Sequence, residues 1–131
     1  MSDALTVVQR VYECFGRGDI PGVLNLLAEE VDWLAPGSVE VPWAGRWRGR
    51  TQVGGFFAAI GASADVELFE ATEFLGSGNR VVVLGRERLR AKSTGRAYDS
   101  DWCHVWTVKD GKITVLREYI DTAAVNGAFL T

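Results

Sequence analysis

The sequence predicts a single α+β domain, residues 1–131, in which three helices precede an antiparallel sheet. A length of 131 residues is typical of one domain. Apolar residues recur at helical spacing in the first half of the chain and alternate with polar residues in the second half. Short connections that contain glycine separate the alternating segments, as in antiparallel hairpins. Helices followed by such strands pack together on one face of the sheet.

Three helices account for the first half. The segment 4–15 carries its apolar residues on one side, which predicts an amphipathic helix. Asp19 is placed to cap a second helix, with Pro21 in its first turn and Leu27 at the end of its buried stripe. After a short strand at residues 31–34, a third helix should begin beyond Thr51. Its apolar side is formed by Val53, Phe56, Phe57 and Ile60.

A long irregular segment is predicted at residues 35–50. It contains Trp43 and Trp47, which need either the core or a ligand to cover them. The segment is therefore either a plug at one end of the core or a lid over a binding site. Its alternating arginines form either a solvated edge or an anion-binding rim; they are Arg46, Arg48 and Arg50.

Four strands are predicted in the second half, at residues 66–75, 80–91, 98–108 and 112–121. Glu87 is the one charge on the apolar face formed by the odd-numbered residues of its strand, and Glu118 likewise interrupts an apolar face of the last strand. A carboxyl group among apolar side chains has a raised pKa and can act as a general acid or base near neutral pH. The alternative for each glutamate is a structural ion pair with an arginine.

The strand at residues 98–108 is ambiguous, because both of its faces look half-buried. Its face with Trp102, His104 and Trp106 is predicted to lie outside, where these residues and Tyr119 would form an aromatic patch and a homodimer interface. His104 is the only histidine and therefore a candidate catalyst, but its place between Trp102 and Trp106 favours a histidine of the core or of an interface. Cys103, on the opposite face, is expected to be an inert buried thiol.

Composition argues against several classes of protein. Apolar residues make up 47% of the chain, charged residues 24%, and the net charge is −3, which is not the balance of a nucleic-acid-binding protein. No apolar run approaches the roughly 20 residues needed to span a bilayer, and residues 1–10 lack a signal-peptide pattern, so a cytoplasmic location is expected. Cys14 and Cys103 are too few for a disulfide framework, and neither they nor His104 have metal-ligand spacing, so we expect two reduced thiols and no metal site.

Several segments carry a resemblance to a known family: 7–10, 18–20, 26–31, 45–50, 104–106, 110–113 and 117–121. Through them nearly the whole chain resembles SnoaL-like proteins, which belong to the nuclear-transport-factor-like superfamily with ketosteroid isomerase, limonene epoxide hydrolase and the polyketide cyclases. The resemblance implies a cone, in which a curved sheet wraps around three helices and an apolar pocket opens near Trp43. It specifies a fold more narrowly than a reaction.

Functional residues of the superfamily carry over only in part. The three polar groups of ketosteroid isomerases correspond to Val11, Ala35 and Cys103 here, so that machinery is absent, although Tyr12 and Asp101 lie one and two residues away. The arginine and two aspartates of the epoxide hydrolases correspond to Gly85, Glu87 and Glu118. Both carboxyl groups are kept as glutamates, and the arginine is missing unless Arg86 or Arg117 reaches in from the other face.

Strand alternation and the resemblance thus agree on Glu87 and Glu118. The leading hypothesis is a cofactor-free isomerase, hydrolase or cyclase that acts on a small apolar molecule, with one glutamate as base, the other as acid or orienting group, and Asp101 as a candidate third member. The predicted substrate-binding residues are Tyr12, Phe15, Trp33, Trp43, Phe56, Cys103 and Leu116. The alternative is a non-catalytic ligand-binding or dimerisation domain, which an apolar pocket floor and arginine-paired glutamates would favour.

Overall fold

The computed structural model describes residues 3–131. Within them the helices are α1 Ala4–Gly16, α2 Ile20–Asn25, α3 Arg50–Ser63 and α4 Thr122–Phe129. The strands are β1 Leu27–Ala35, β2 Gly45–Arg48, β3 Ala64–Ser77, β4 Arg80–Ala91, β5 Ala97–Lys109 and β6 Lys112–Ile120. None of the helices in this part of the chain is long and apolar enough to cross a membrane.

The six strands form one curled, unclosed sheet in the order β2-β1-β6-β5-β4-β3. Strands β3 to β6 form the predicted antiparallel meander. Strand β1 pairs with β6 in parallel, which the sequence analysis did not anticipate. The apolar sides of the three N-terminal helices pack into the concave face of the sheet. The predicted α+β class, with a curved sheet around three N-terminal helices, is therefore confirmed.

The predicted helices are present, with two corrected boundaries: α2 ends before Leu27, and α3 begins at Arg50 rather than beyond Thr51. The side chain of Asp3 caps α1 by accepting from the backbone N–H of Thr6 at 2.7 Å, and Asp19 caps α2. Helix α2 ends at Asn25, so the prediction that its buried stripe reaches Leu27 was wrong. Residue Leu27 instead starts β1, because the carbonyl of Leu26 accepts from a backbone N–H of β6 and turns the chain into the sheet.

Two elements were missed in the sequence analysis. Part of the segment predicted to be irregular is β2, whose Trp47 lies opposite Trp33 of β1. The indole N–H of Trp47 donates to the carbonyl of Trp43 at 3.0 Å, so the two tryptophans brace each other. Helix α4 follows β6, and it buries Val125 and Phe129 against one end of the core. The ring of Trp43 packs edge-on against Phe129, with the ring centroids 5.2 Å apart.

The faces of β5 are opposite to those predicted. The side chains of Trp102, His104 and Trp106 are buried on the concave face, so the prediction that they form an outer aromatic patch was wrong. Tyr119 alone among the four predicted interface residues is exposed, at 60%. Alternation separates the aromatic face of β5 from the face with Asp101 and Cys103, but by itself it does not show which face points inward.

Glycine at position 85 allows Trp102 to lie flat on the sheet. A Cβ atom at Gly85 would overlap the Trp102 ring and the carbonyl oxygen of Glu70. The Trp102 ring stacks in turn on the imidazole of His104, with centroids 3.9 Å apart and planes within 12°. A glycine in a strand interior often marks such a close approach.

The convex face of the sheet carries a row of ion pairs that we call the arginine ladder. Three arginines of β4 pair with acids of β3 and β5: Arg86 with Glu70, Arg88 with Glu67 and Asp99, and Arg90 with Glu67. The ladder thus keeps these three guanidinium groups on the convex face.

Candidate active site

A cavity lies between α1, α3 and the concave face of the sheet. About 80 Å³ of it is open to the centre of a water molecule, several times the roughly 10–15 Å³ that one water requires. The walls are mainly aromatic and aliphatic, and no arginine or lysine of the described residues lines them. Six of the seven predicted substrate-binding residues do line the cavity: Tyr12, Phe15, Trp33, Trp43, Phe56 and Leu116.

Two of the predicted site residues lie elsewhere. The side chains of Asp101 and Cys103 project from the convex face, because the concave positions of β5 are taken by Trp102 and His104. Asp101 is exposed and Cys103 is half-buried. Neither lines the cavity, which corrects their assignment to the catalytic and substrate-binding groups.

The arginines of the 35–50 segment also lie outside the cavity. Arg46 and Arg48 are exposed on β2, and Arg46 is 3.6 Å from the carboxylate of Asp32. The Nε of Arg50 donates to the carbonyl of Leu27 at 3.0 Å. These contacts match the solvated edge, one of the two alternatives for this segment.

Glu87 reaches the cavity from β4 and is only 8% exposed. The hydroxyl of Tyr98 donates to its Oε2 at 2.6 Å. Burial, together with the negative charge of Glu118, raises the pKa of Glu87 to about 8, although the hydrogen bond from Tyr98 opposes the rise. The carboxyl group of Glu87 is therefore mostly protonated at neutral pH and can donate a proton or a hydrogen bond.

Glu118 reaches the same cavity from β6, directly opposite His104 of β5. Its Oε2 lies 2.7 Å from Nε2 of His104. The other ring nitrogen, Nδ1, lies 2.6 Å from the hydroxyl of Tyr12 on α1. The indole N–H of Trp106 donates to that same hydroxyl at 3.0 Å. A continuous hydrogen-bonded chain thus runs from the β-sheet through the helix to Glu118.

Neither cavity glutamate has an arginine as its ion-pair partner among the described residues. The arginine ladder occupies Arg86, and Arg117 pairs with Asp32 at 3.1 Å. The cavity therefore has two carboxyl groups at its polar end, the feature that distinguishes acid/base chemistry from storage of an apolar ligand.

Tyr98 and His104 are cavity residues that the sequence analysis did not assign to the site. Both lie on the same side of β5 as Trp102 and Trp106. The hairpin turn at Asp110 and Gly111 pairs Val108 with Ile113, and a register shift of one residue beyond that pair places His104 opposite Glu118. Pairing the hairpin from its turn alone would have placed His104 opposite Arg117, so the contact with Glu118 was not available from the turn signal.

Comparison with known proteins gives consistent matches over the length of the chain. The sequence model of the SnoaL-like domain family matches residues 8–116 of this chain. An uncharacterized protein of Mycobacterium tuberculosis (strain ATCC 25618 / H37Rv) is 32% identical over 121 residues, which cover 92% of this chain and 91% of that protein. The crystal structure of an NTF2-like protein from Burkholderia xenovorans LB400 is 35% identical, covers 99% of both chains and superposes with a TM-score of 0.89. TerC co-crystallized with polyporic acid is 26% identical, covers 98% of both chains and has a TM-score of 0.85.

Proposed function

Because this chain belongs to the SnoaL-like domain family, we propose that its cavity binds a small, largely apolar carbonyl compound and isomerises or cyclises it by proton transfer between its own side chains. The observation that carries the proposal is that Glu87 and Glu118 line the same apolar cavity and that Glu87, whose pKa is raised to about 8, holds a proton at neutral pH. No cofactor takes part in the proposed reaction.

The two glutamates have different roles because their environments differ. Glu118 is the base: it accepts a proton from a carbon next to the substrate carbonyl, and the electron pair moves toward the carbonyl oxygen. Glu87 is the acid, and its proton stabilises or neutralises that oxygen. The negative charge of the cavity then passes from Glu118 to Glu87. Two nearby carboxylates in a buried site repel each other, and this exchange keeps a single charge at every stage.

An isomerase or cyclase fits the site better than an epoxide hydrolase. The arginine of the hydrolases would correspond to Gly85, and the space above that glycine is filled by the ring of Trp102. Without a lysine or arginine in its lining, the cavity suits a neutral ligand better than an anion. The co-crystal of TerC with polyporic acid supports the uptake of an organic molecule by a chain of this fold.

The proposal is tested with simple cyclic ketones, because proton abstraction next to a carbonyl leaves an isotopic record. The full chain is incubated with 2-tetralone in D₂O, and deuterium incorporation is followed by mass spectrometry. Glu87→Gln and Glu118→Gln should each lower the protein-dependent exchange rate by roughly 10²–10⁴-fold. Glu73→Gln, an exposed glutamate on β3, is the matched control and should exchange like the unmodified protein.

Binding without exchange would contradict the proposal. If ketones of this kind raise the melting temperature but their exchange does not exceed that in buffer, the domain binds ligand without catalysis. Equal exchange rates in the protein and both glutamine variants would show that other groups move the proton.

A further inference from the structure

The hydrogen-bonded chain through Tyr12 has only one arrangement that satisfies all its donors. The Nε1 of Trp106 can only donate, so the oxygen of Tyr12 accepts from it. Burial raises the pKa of Tyr12 well above its ordinary value, so the phenol keeps its proton. That proton has a buried acceptor 2.6 Å away, Nδ1 of His104. Nδ1 then bears no hydrogen, and Nε2–H donates to Oε2 of Glu118.

From this direction of hydrogen bonding we propose that Tyr12 holds His104 as the neutral Nε2–H tautomer. Tyr12 and His104 are then positioning residues that orient Glu118 as the proton acceptor. The role of Glu118 rests on the proposed function, but the tautomer does not. His104 itself does not take the substrate proton in this arrangement, because its only free nitrogen accepts from Tyr12.

The other two states of the imidazole leave a group unpaired. In an imidazolium, Nδ1–H would compete with Trp106 for the Tyr12 oxygen, and the phenol proton would have no acceptor among the described residues. A buried donor without an acceptor destabilises the folded state that contains it. In the Nδ1–H tautomer, the lone pair of Nε2 would face the carboxylate of Glu118. Stacking of Trp102 on the imidazole fixes the plane of the ring in all three states.

The single histidine of the chain makes the tautomer directly measurable. In protein labelled with ¹⁵N-histidine at pH 7, long-range ¹H–¹⁵N correlation distinguishes the two ring nitrogens and their protonation. We expect one protonated nitrogen, assigned to Nε2, and one unprotonated nitrogen, assigned to Nδ1. An Nδ1–H tautomer or an imidazolium in the unmodified protein would overturn the proposal without the use of any variant or substrate.

Tyr12→Phe removes the donor to Nδ1 and keeps the ring. In this variant we expect His104 to give up the single tautomer and to become either a mixture of the two tautomers or an imidazolium. The matched control is Tyr98→Phe, which removes another cavity hydroxyl that contacts Glu87 rather than His104. The histidine spectrum of this control should not change. An unchanged spectrum in Tyr12→Phe would overturn the role of Tyr12.

The same variant separates this inference from the proposed function. If Glu118 is the base, Tyr12→Phe should slow the deuterium exchange by up to about 10²-fold through misplacement of the carboxylate. An unmodified protein that shows the Nε2–H tautomer but no exchange would overturn the proposed function and leave the tautomer in place. Normal exchange in a Tyr12→Phe protein whose tautomer is lost would overturn the positioning role.

Discussion

Replacing Glu87 by glutamine tests whether the pKa of this buried carboxyl group is raised, because the raised pKa makes the free energy of unfolding depend on pH. No substrate is needed. In the unfolded chain the Glu87 carboxyl ionises near its ordinary pKa of 4.5, whereas in the folded protein it keeps its proton up to about pH 8. Between these values the folded state binds the extra proton, so the free energy of unfolding falls as the pH rises. At about 1.4 kcal/mol per pKa unit, the full loss is on the order of 5 kcal/mol, of which about 3 kcal/mol is reached by pH 7.

Glutamine does not titrate, so this part of the pH dependence should vanish in Glu87→Gln. The assay is urea unfolding at intervals from pH 4.5 to 9, with the difference in unfolding free energy between variant and unmodified protein plotted against pH. That difference should increasingly favour the variant up to about pH 8 and then level off. The control Glu73→Gln should give a difference without this rise. A constant difference for Glu87→Gln would refute the raised pKa, and with it the role of Glu87 as a neutral acid.

Three further expectations follow from the structure. Glu118→Gln removes the negative charge that contributes to the raised pKa of Glu87, so the pH at which the stability loss levels off should move down toward neutrality; an unmoved plateau in urea unfolding would contradict this coupling. Gly85→Ala should cost about 1–3 kcal/mol in urea unfolding because a methyl group there overlaps the neighbouring indole and a carbonyl, whereas Gly127→Ala in helix α4 meets no atom within 4 Å and should be neutral or stabilising. Homodimerisation through the convex sheet face remains a prediction. In light scattering the unmodified protein should have twice the mass of one 14.3 kDa chain, and Tyr119→Glu should have the mass of a single chain. A single-chain mass for the unmodified protein would contradict it.

The sequence predicts most of the fold because its local signals agree with the tertiary arrangement. The caps at Asp3 and Asp19 and the helical spacing in α1 and α3 determine the helices with little help from distant contacts. Strand β2 and helix α4 are different. The four residues of β2 alternate between half-buried and exposed, but they are too few to identify a strand without β1, which provides their hydrogen-bond partners. Helix α4 depends on Asp121, which had been assigned to the preceding strand.

The two glutamates of the candidate site were predicted from the sequence, whereas the position of its histidine was not. Glu87 and Glu118 were found because each is a single charge on an apolar face of its strand. Charged side chains are seldom placed on such a face unless they are paired or functional. His104 was left between the core and an interface because alternation separates the two faces of β5 but does not show which of them faces the core. Its position depends on the long-range contacts of Trp102 with Gly85 and of Tyr12 with Trp106. These contacts join residues far apart in the chain, and no local pattern reports them.

The arginine ladder has a consequence for how β3 and β4 find their alignment during folding. Its exposed ion pairs contribute little net stability, typically less than about 1 kcal/mol each. They discriminate between alignments, however. A slip of β4 by one residue would turn Arg88 toward the apolar core and expose Glu87. A slip by two residues would keep the faces but break at least one of the two contacts that Glu67 makes with Arg88 and Arg90. The ion pairs of the convex surface thus favour the observed alignment of the long hairpin over both slips, and the observed alignment keeps the acid of the cavity facing inward.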